Sequence, residues 1–206
     1  MIYKTSCFKS DPDWADVPVA AIASWHWEEG EIYRPPSFAQ LCAIGGEGLC
    51  ARLWSFEPSP RATLTKRDDP VYEDSCLELF LQLDPHLSSY LNLEFNSAGV
   101  YRSQVGPSRN ERTFISTLTD KEPHIKIIQI QDPHLPPAWG IEVFLQDDFI
   151  SDACGFEFKS SPRFLRGNFY KCGDKTPVPH YGAFAPVGSA LKGFHNPSHF
   201  CEINII

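Results

Sequence analysis

The sequence predicts an all-β fold, a two-sheet antiparallel β-sandwich of the jelly-roll or immunoglobulin-like kind, and three observations lead there. Short runs with apolar residues at every second position recur along the chain, roughly eight or nine of them. Turn residues separate these runs, drawn from 18 prolines and 13 glycines. No stretch sustains a helical period over several turns. With 206 residues the chain can bury a sizeable core as one unit, and neither an internal repeat nor a low-complexity linker divides it. The expectation is therefore a single domain over residues 1–206.

The N-terminal part is the least regular. Residues 11–34 hold Trp14, Trp25 and Trp27, three of the five tryptophans, among acids and without a strand or helix period. Residues 1–34 are thus expected to be an irregular segment packed on the sandwich. After Pro35-Pro36, residues 37–44 and 49–56 read as two strands joined by Gly45-Gly46-Glu47-Gly48, an antiparallel hairpin. A charged loop, Lys66-Arg67-Asp68-Asp69, then feeds the clearest strand in the chain. Its residues Leu77, Leu79, Leu81 and Leu83 share one face, and Cys76, Glu78, Phe80 and Gln82 share the other. A carboxylate beside an aromatic ring on one strand face suits the floor of a shallow site, whereas a solvated face is the simpler reading of Glu78 alone.

Residues 90–96 repeat the pattern, with Leu91, Leu93 and Phe95 opposite Asn92, Glu94 and Asn96. Ser97-Ala98-Gly99 turns into a further strand over 100–105, and residues 106–112 form a loop with Arg109 and Arg112. Strands are expected over 124–131 and 139–145, a helical turn near 148–153, and strands over 164–172 and 200–205.

Charge narrows the function. The formal net charge is −8, with 18 Lys+Arg against 26 Asp+Glu, so no basic surface is expected for nucleic acid. No 18 consecutive residues are apolar, so no membrane partner is expected. The residues following Met1 lack the apolar run of a secretory signal, and the seven cysteines are scattered in strand patterns. Reduced thiols in a soluble, cytoplasmic protein are the expectation for the chain as written.

Chemistry is sparse. Glu78 and Glu94 lie on strands close in sequence and could meet as an acid and base pair of a glycoside hydrolase or other enzyme of carbohydrate breakdown, yet no spacing marks them as catalytic. No Gly-x-Ser-x-Gly or phosphate-binding glycine loop is present. His195 and His199 have the density of a zinc site, but Pro197 between them favours a plain turn before the last strand. The pairs Asp68-Asp69, Glu73-Asp74 and Asp147-Asp148 carry oxygen ligands that calcium accepts. Rings beside polar residues, Trp54, Tyr72, Tyr170, Tyr181 and Phe184, suit a sugar, whose C–H faces pack on aromatics. No catalytic or metal-binding residue is assigned from the sequence.

Several of these segments together resemble a known family. Tyr72-Glu73-Asp74-Ser75-Cys76-Leu77-Glu78-Leu79-Phe80, the strand ending at Asn96, residues 167–174, Phe184 and Asn196-Pro197-Ser198-His199-Phe200 are similar to the family 9 carbohydrate-binding module over residues 37–206. Asp69-Pro70-Val71-Tyr72-Glu73-Asp74-Ser75-Cys76 and Arg166-Gly167-Asn168-Phe169-Tyr170-Lys171-Cys172-Gly173-Asp174 resemble its stand-alone branch. The resemblance implies a non-catalytic β-sandwich that holds a mono- or oligosaccharide between two aromatic rings. No cofactor is required, and some members carry structural calcium. Carried over residue by residue, Tyr72 and Phe184 become the stacking walls and Glu78, Glu94 and Lys171 the polar contacts. Tyr72 and Phe184 stand where the module has tryptophan, Glu94 where it has arginine and Lys171 where it has glutamine. A protein-interaction domain without a small ligand is the remaining alternative.

Overall fold

The computed structural model describes residues 1–188 and 192–206. Its fifteen strands are β1 (Ile2–Thr5), β2 (Cys7–Phe8), β3 (Ala20–Ala21), β4 (Ser24–Trp25), β5 (Ser37–Ile44), β6 (Gly48–Ser55), β7 (Cys76–Gln82), β8 (Tyr90–Asn96), β9 (Tyr101–Gly106), β10 (Thr113–Phe114), β11 (His124–Ile130), β12 (Ala138–Gln146), β13 (Arg163–Cys172), β14 (Tyr181–Ala183) and β15 (Cys201–Ile205). One sheet of nine strands runs β1-β15-β13-β7-β8-β9-β10, with β14 alongside β13 and β4 alongside β14. The other, of six strands, runs β11-β12-β6-β5-β2, with β3 also on β5. This is the two-sheet sandwich expected. Its pairs are antiparallel except that β1 lies parallel to β15 and β2 parallel to β5.

Alternation builds the core. Leu77, Leu79 and Leu81 of β7, Leu91, Leu93 and Phe95 of β8, and Leu165 and Phe169 of β13 face Leu41, Leu49, Leu53, Ile141, Val143 and Leu145 of the other sheet in one cluster. Each such fully buried side chain stabilises the fold by roughly 1.5–3 kcal/mol. The hairpin β5–β6 closes through Gly46, whose φ of 76° is the left-handed conformation a short loop requires. The helical turn near 148–153 proves to be a two-turn helix, α1 (Asp147–Cys154), ended by Gly155 at φ 72°. No helix of the described residues is long and apolar enough to cross a membrane.

The N-terminal segment departs from the sequence expectation. It is not irregular throughout, because it supplies β1 to one sheet, β2 and β3 to the other, and β4 to the edge of β14. Runs of two to four residues are too short to show a period, and parallel pairing to β15 at the far end of the chain leaves no local signal.

The outer face of the nine-stranded sheet is also covered. Cys76 and Phe80 of β7, Tyr90 of β8 and Tyr170 and Cys172 of β13 join Val71, Tyr181, Phe194 and Phe200 in a second apolar cluster, with Trp27 and Tyr72 packed on it. Loops and the N-terminal segment thus roof a face that strand alternation alone would leave in solvent. The site forms where that roof stays open.

Candidate functional site

A cavity of about 430 Å³ opens on this outer face, and cross-strand register builds its floor. Glu78 on β7 pairs with Glu94 on β8, which pairs with Arg102 on β9, so the three side chains lie in one row. Cys172 of β13 completes the floor, its thiol donating to Glu78 Oε1 at 2.9 Å. Glu78 is 3% exposed and Glu94 2%, so neither is the solvated surface charge that Glu78 alone suggested. Burial, and then the neighbouring Glu94, push the Glu78 carboxyl well above its ordinary value. Burial also raises Glu94, to about 7, with Arg102 and Arg112 opposing the rise. Glu94 Oε1 accepts from Asn92 Nδ2 at 2.9 Å, whereas its buried Oε2 has no partner. An orphaned acceptor on a cavity floor is a place for a ligand hydroxyl.

Aromatic rings make the walls. Tyr72 stands on a 3₁₀ turn, Val71–Glu73, just before β7. That turn is anchored by buried Asp74, which accepts from the backbone N–H groups of Thr63 and Leu64, from Thr63 Oγ1 and from Asn96 Nδ2, and pairs with Arg61 at 3.2 Å. Burial alone would raise the Asp74 carboxyl, but these donors hold it below its ordinary value. Replacing it by alanine strands several donors, and Asp74→Ala is expected to lower unfolding free energy by about 2 kcal/mol in urea titration.

Trp27, Tyr181 and Phe194 line the same cavity. Trp27 packs against Tyr181 and Phe194 at ring distances of 5.8 and 5.6 Å, and Phe194 stacks on Tyr170 at 4.2 Å. Trp27 has φ 53°, a left-handed conformation that costs a bulky residue of order 1 kcal/mol or more, and its buried Nε1 has no partner. Strain and an unsatisfied donor on the same wall residue mark it as part of a site.

Of the five residues singled out from the sequence, Tyr72, Glu78 and Glu94 come together at this cavity and two do not. Phe184 lies on the other side of the sheet, between the layers, 6.1 Å from Tyr3 and 5.8 Å from Phe169. It is a core residue and not a wall of the cavity. Lys171 falls on the same inner face, because β13 alternates and Leu165 and Phe169 point inward. There its fully buried ammonium contacts Glu57 Oε2 at 3.2 Å, His180 Nε2 at 2.7 Å and the Cys172 carbonyl at 2.9 Å. Glu57 also accepts from Ser75 Oγ and Trp139 Nε1. Lys171 is therefore half of a buried ion pair and has no reach to the cavity.

The sequence carries no signal for the other wall, Trp27 with Phe194, or for Arg112 and His195 as residues of the cavity. His195 packs tilted against Phe80 at 4.8 Å and bonds the Tyr90 hydroxyl at 3.0 Å, while Pro197–His199 forms the expected turn and Asn196 caps it. The zinc reading of His195 and His199 has no geometric support.

The carboxylates of the acidic pairs are engaged within the chain. Asp68 accepts from Ser116 Oγ and the Ser103 N–H, Asp69 from the N–H groups of Thr65 and Lys66, Glu73 pairs with Lys175, Asp147 accepts from Ser160 and Asp148 pairs with Lys121. Each carboxylate already has donors of its own. The one group of three potential metal donors among the described residues is Cys76, Glu78 and Cys172. Calcium takes oxygen ligands, and burial keeps both thiols protonated, raising Cys76 to about 11 and Cys172 well above its ordinary value.

A second cavity, of about 400 Å³, lies on the outer face of the six-stranded sheet around Trp14 and Phe144. Of its three acids, Asp11, Glu47 and Glu142, the last pairs with Arg52 at 2.6 Å, and among the described residues it contains no buried unpaired polar group to orient a ligand. The first cavity is the candidate.

A β-sandwich with an aromatic-walled cavity over buried carboxylates defines a ligand-binding domain of the β-sandwich class. Comparison with known proteins places it more closely. The model of a family described as carbohydrate-binding family 9 matches residues 12–205, and the chain belongs to that family. Among solved structures, a Bacteroides uniformis protein provisionally described as carbohydrate-binding matches with TM-score 0.78 and 21% identity, over 100% of this chain and 98% of that one. A family 9 carbohydrate-binding module from Caldicellulosiruptor kristjanssonii, solved with cellotriose, matches with TM-score 0.60 and 12% identity over 100% and 93% of the two chains. The same organism's module solved with glucose gives TM-score 0.62 and 12% identity over 100% and 96%. A search among curated proteins finds no match.

Proposed function

We propose that this protein is a non-catalytic carbohydrate-binding domain whose ligand, a mono- or oligosaccharide, lies in the cavity between Trp27 and Tyr72. The observation that carries the reading is the pairing of aromatic walls with two buried carboxylates, one with a free acceptor oxygen, which is the composition a polyhydroxylated ring with apolar C–H faces requires. The family supports it, as do the cellotriose and glucose held by the Caldicellulosiruptor modules. Hydrolysis is the weaker reading. Glycosidase carboxyls flank the bond they cleave, whereas Glu78 and Glu94 stand side by side on one floor as cross-strand neighbours.

The test is calorimetric titration with a panel of neutral mono- and oligosaccharides. Trp27→Ala and Tyr72→Ala are each expected to weaken binding at least tenfold, about 1.4 kcal/mol of lost stacking, with no reducing sugar released by the wild type. Unchanged affinity in both variants, with the fold intact, would remove the cavity as the sugar site.

A further inference from the structure

Four cations line the cavity: Arg102, Arg109, Arg112 and Lys192. Salt bridges elsewhere in the molecule join Arg34 to Glu28, Arg52 to Glu142 and Arg67 to Glu122, yet among the described residues none of these four is in one. Their hydrogen bonds go to neutral groups. Arg102 Nη1 donates to the Asp68 carbonyl at 2.8 Å, Arg112 Nη1 to Asn92 Oδ1 at 2.9 Å, and Arg109 Nη1 to the Lys192 carbonyl at 3.2 Å. Arg112 Nε donates to the Arg109 carbonyl at 3.1 Å, so the loop over 106–112 and the segment at 192–195 carry their charges toward one opening.

The opposing acids are Glu78, Glu94 and Asp174. Burial raises all three, and Glu94 raises Glu78 further, and the four cations outnumber the acids even with every carboxylate ionised. His195 between them stays neutral, depressed to about 2 by burial and then by Arg112, Arg109 and Arg102 in turn. The site is thus a positive spot in a protein of net charge −8. A neutral sugar has hydroxyls to match single donors, but it leaves partly desolvated guanidinium groups without a counter-charge. A planar carboxylate presents two oxygens to the guanidinium fork and satisfies both needs.

We infer that the sugar bound here carries a negative charge, and that the arginines at the cavity mouth select a hexuronic acid end over its neutral hexose counterpart. The inference rests on the sugar-binding reading above and names the class of sugar. Arg109, exposed at the rim, and Arg112, deeper, supply the selectivity, while Trp27 and Tyr72 supply the stacking common to both sugars.

Calorimetric titration of the full chain with glucuronate, galacturonate, glucose, galactose, glucose 6-phosphate and inorganic phosphate, in 20 and 300 mM salt, tests it. Expected are at least tenfold tighter binding of a uronate than of its hexose at low salt, a gap that narrows at high salt, and a uronate-to-hexose affinity ratio that falls toward one in Arg109→Gln or Arg112→Gln. Equal affinity for uronate and hexose would overturn the inference and leave the sugar reading standing. Inorganic phosphate binding as tightly as glucose 6-phosphate, with no hexose or uronate bound, would overturn the sugar reading and show an anion site alone. Tighter binding of glucose 6-phosphate than of either uronate would move the selected group from carboxylate to phosphate and overturn the hexuronate assignment. Binding of no member of the panel would overturn both.

Discussion

Lys171→Met is expected to lower the unfolding free energy by about 3–5 kcal/mol, because it leaves Glu57 charged and buried with only Ser75 and Trp139 as donors. Glu57 is 5% exposed and Lys171 fully buried, so water cannot replace the lost partner. Burial pushes the Glu57 carboxyl up, but Lys171, Ser75 and Trp139 outweigh it and keep the group ionised. His180 serves the lysine as a neutral acceptor. Burial and then Lys171 lower it to about 4, while its Nδ1 donates to the Val178 carbonyl at 2.9 Å, leaving Nε2 free to accept. The measurement is a shift of the urea midpoint at constant slope. Adding Glu57→Gln to Lys171→Met should restore much of the loss, since the charge is then gone from both sides. A double variant no more stable than the single one would mean that packing around the lysine stem, and not the ion pair, sets the cost.

Glu78→Gln and Glu94→Gln should raise stability above neutral pH while weakening ligand binding. A carboxyl raised by folding binds its proton more tightly in the native chain than in the unfolded one, so its contribution is complete below about 4.5 and is lost as pH climbs through the native value. For Glu94 that window runs from about 4.5 to about 7 and amounts to roughly 3 kcal/mol; Glu78 shifts in the same direction. His180 and His195 act in the opposite sense. Their native values are depressed, to about 4 and about 2, so stability is complete above about 6.5 and is lost as pH falls toward those values. From 4.5 to 6.5 the two glutamates and two histidines offset one another. Above 6.5 only the glutamates remain. Thermal melting should therefore peak near pH 5–6 and decline toward pH 8. Each glutamine variant should flatten that decline, matching wild type near pH 5 and exceeding it at pH 8. An equal melting offset at both pH values would show that the carboxyls do not titrate in the native protein as their burial demands.

That trade is the usual mark of a site: charge held in a costly place because a ligand uses it. It also explains what a reader of the sequence can and cannot see. The leucines of β7 and β8 announce an inner face by parity, and the same parity places Glu78, Asn92 and Glu94 together on the outer one. What parity cannot tell is that the outer face is roofed, since the roof is built from Trp27, Val71, Phe194 and Phe200, residues distant in sequence and without period. The inward side of Lys171 was legible, because Leu165, Gly167 and Phe169 alternate with it, yet a lysine among leucines is easily assumed to point at water. Phe184 is different. It follows a strand of only three residues, too short for its face to be read.

The N-terminal segment has one more implication. It crosses from one sheet to the other between Thr5 and Cys7, clips to β14 through β4, and ends in the strained Trp27 that walls the cavity. The floor, in contrast, belongs to the central strands, whose leucines also hold the core. Ligand preference and folding are therefore divided between separate stretches of chain. A change of length or composition between residues 22 and 34 can reshape the mouth of the cavity while leaving the register of β7, β8 and β13 untouched. Relatives that share this sandwich are free to diverge in what they bind by rewriting that short arm, and chimaeras exchanging it should carry specificity with them.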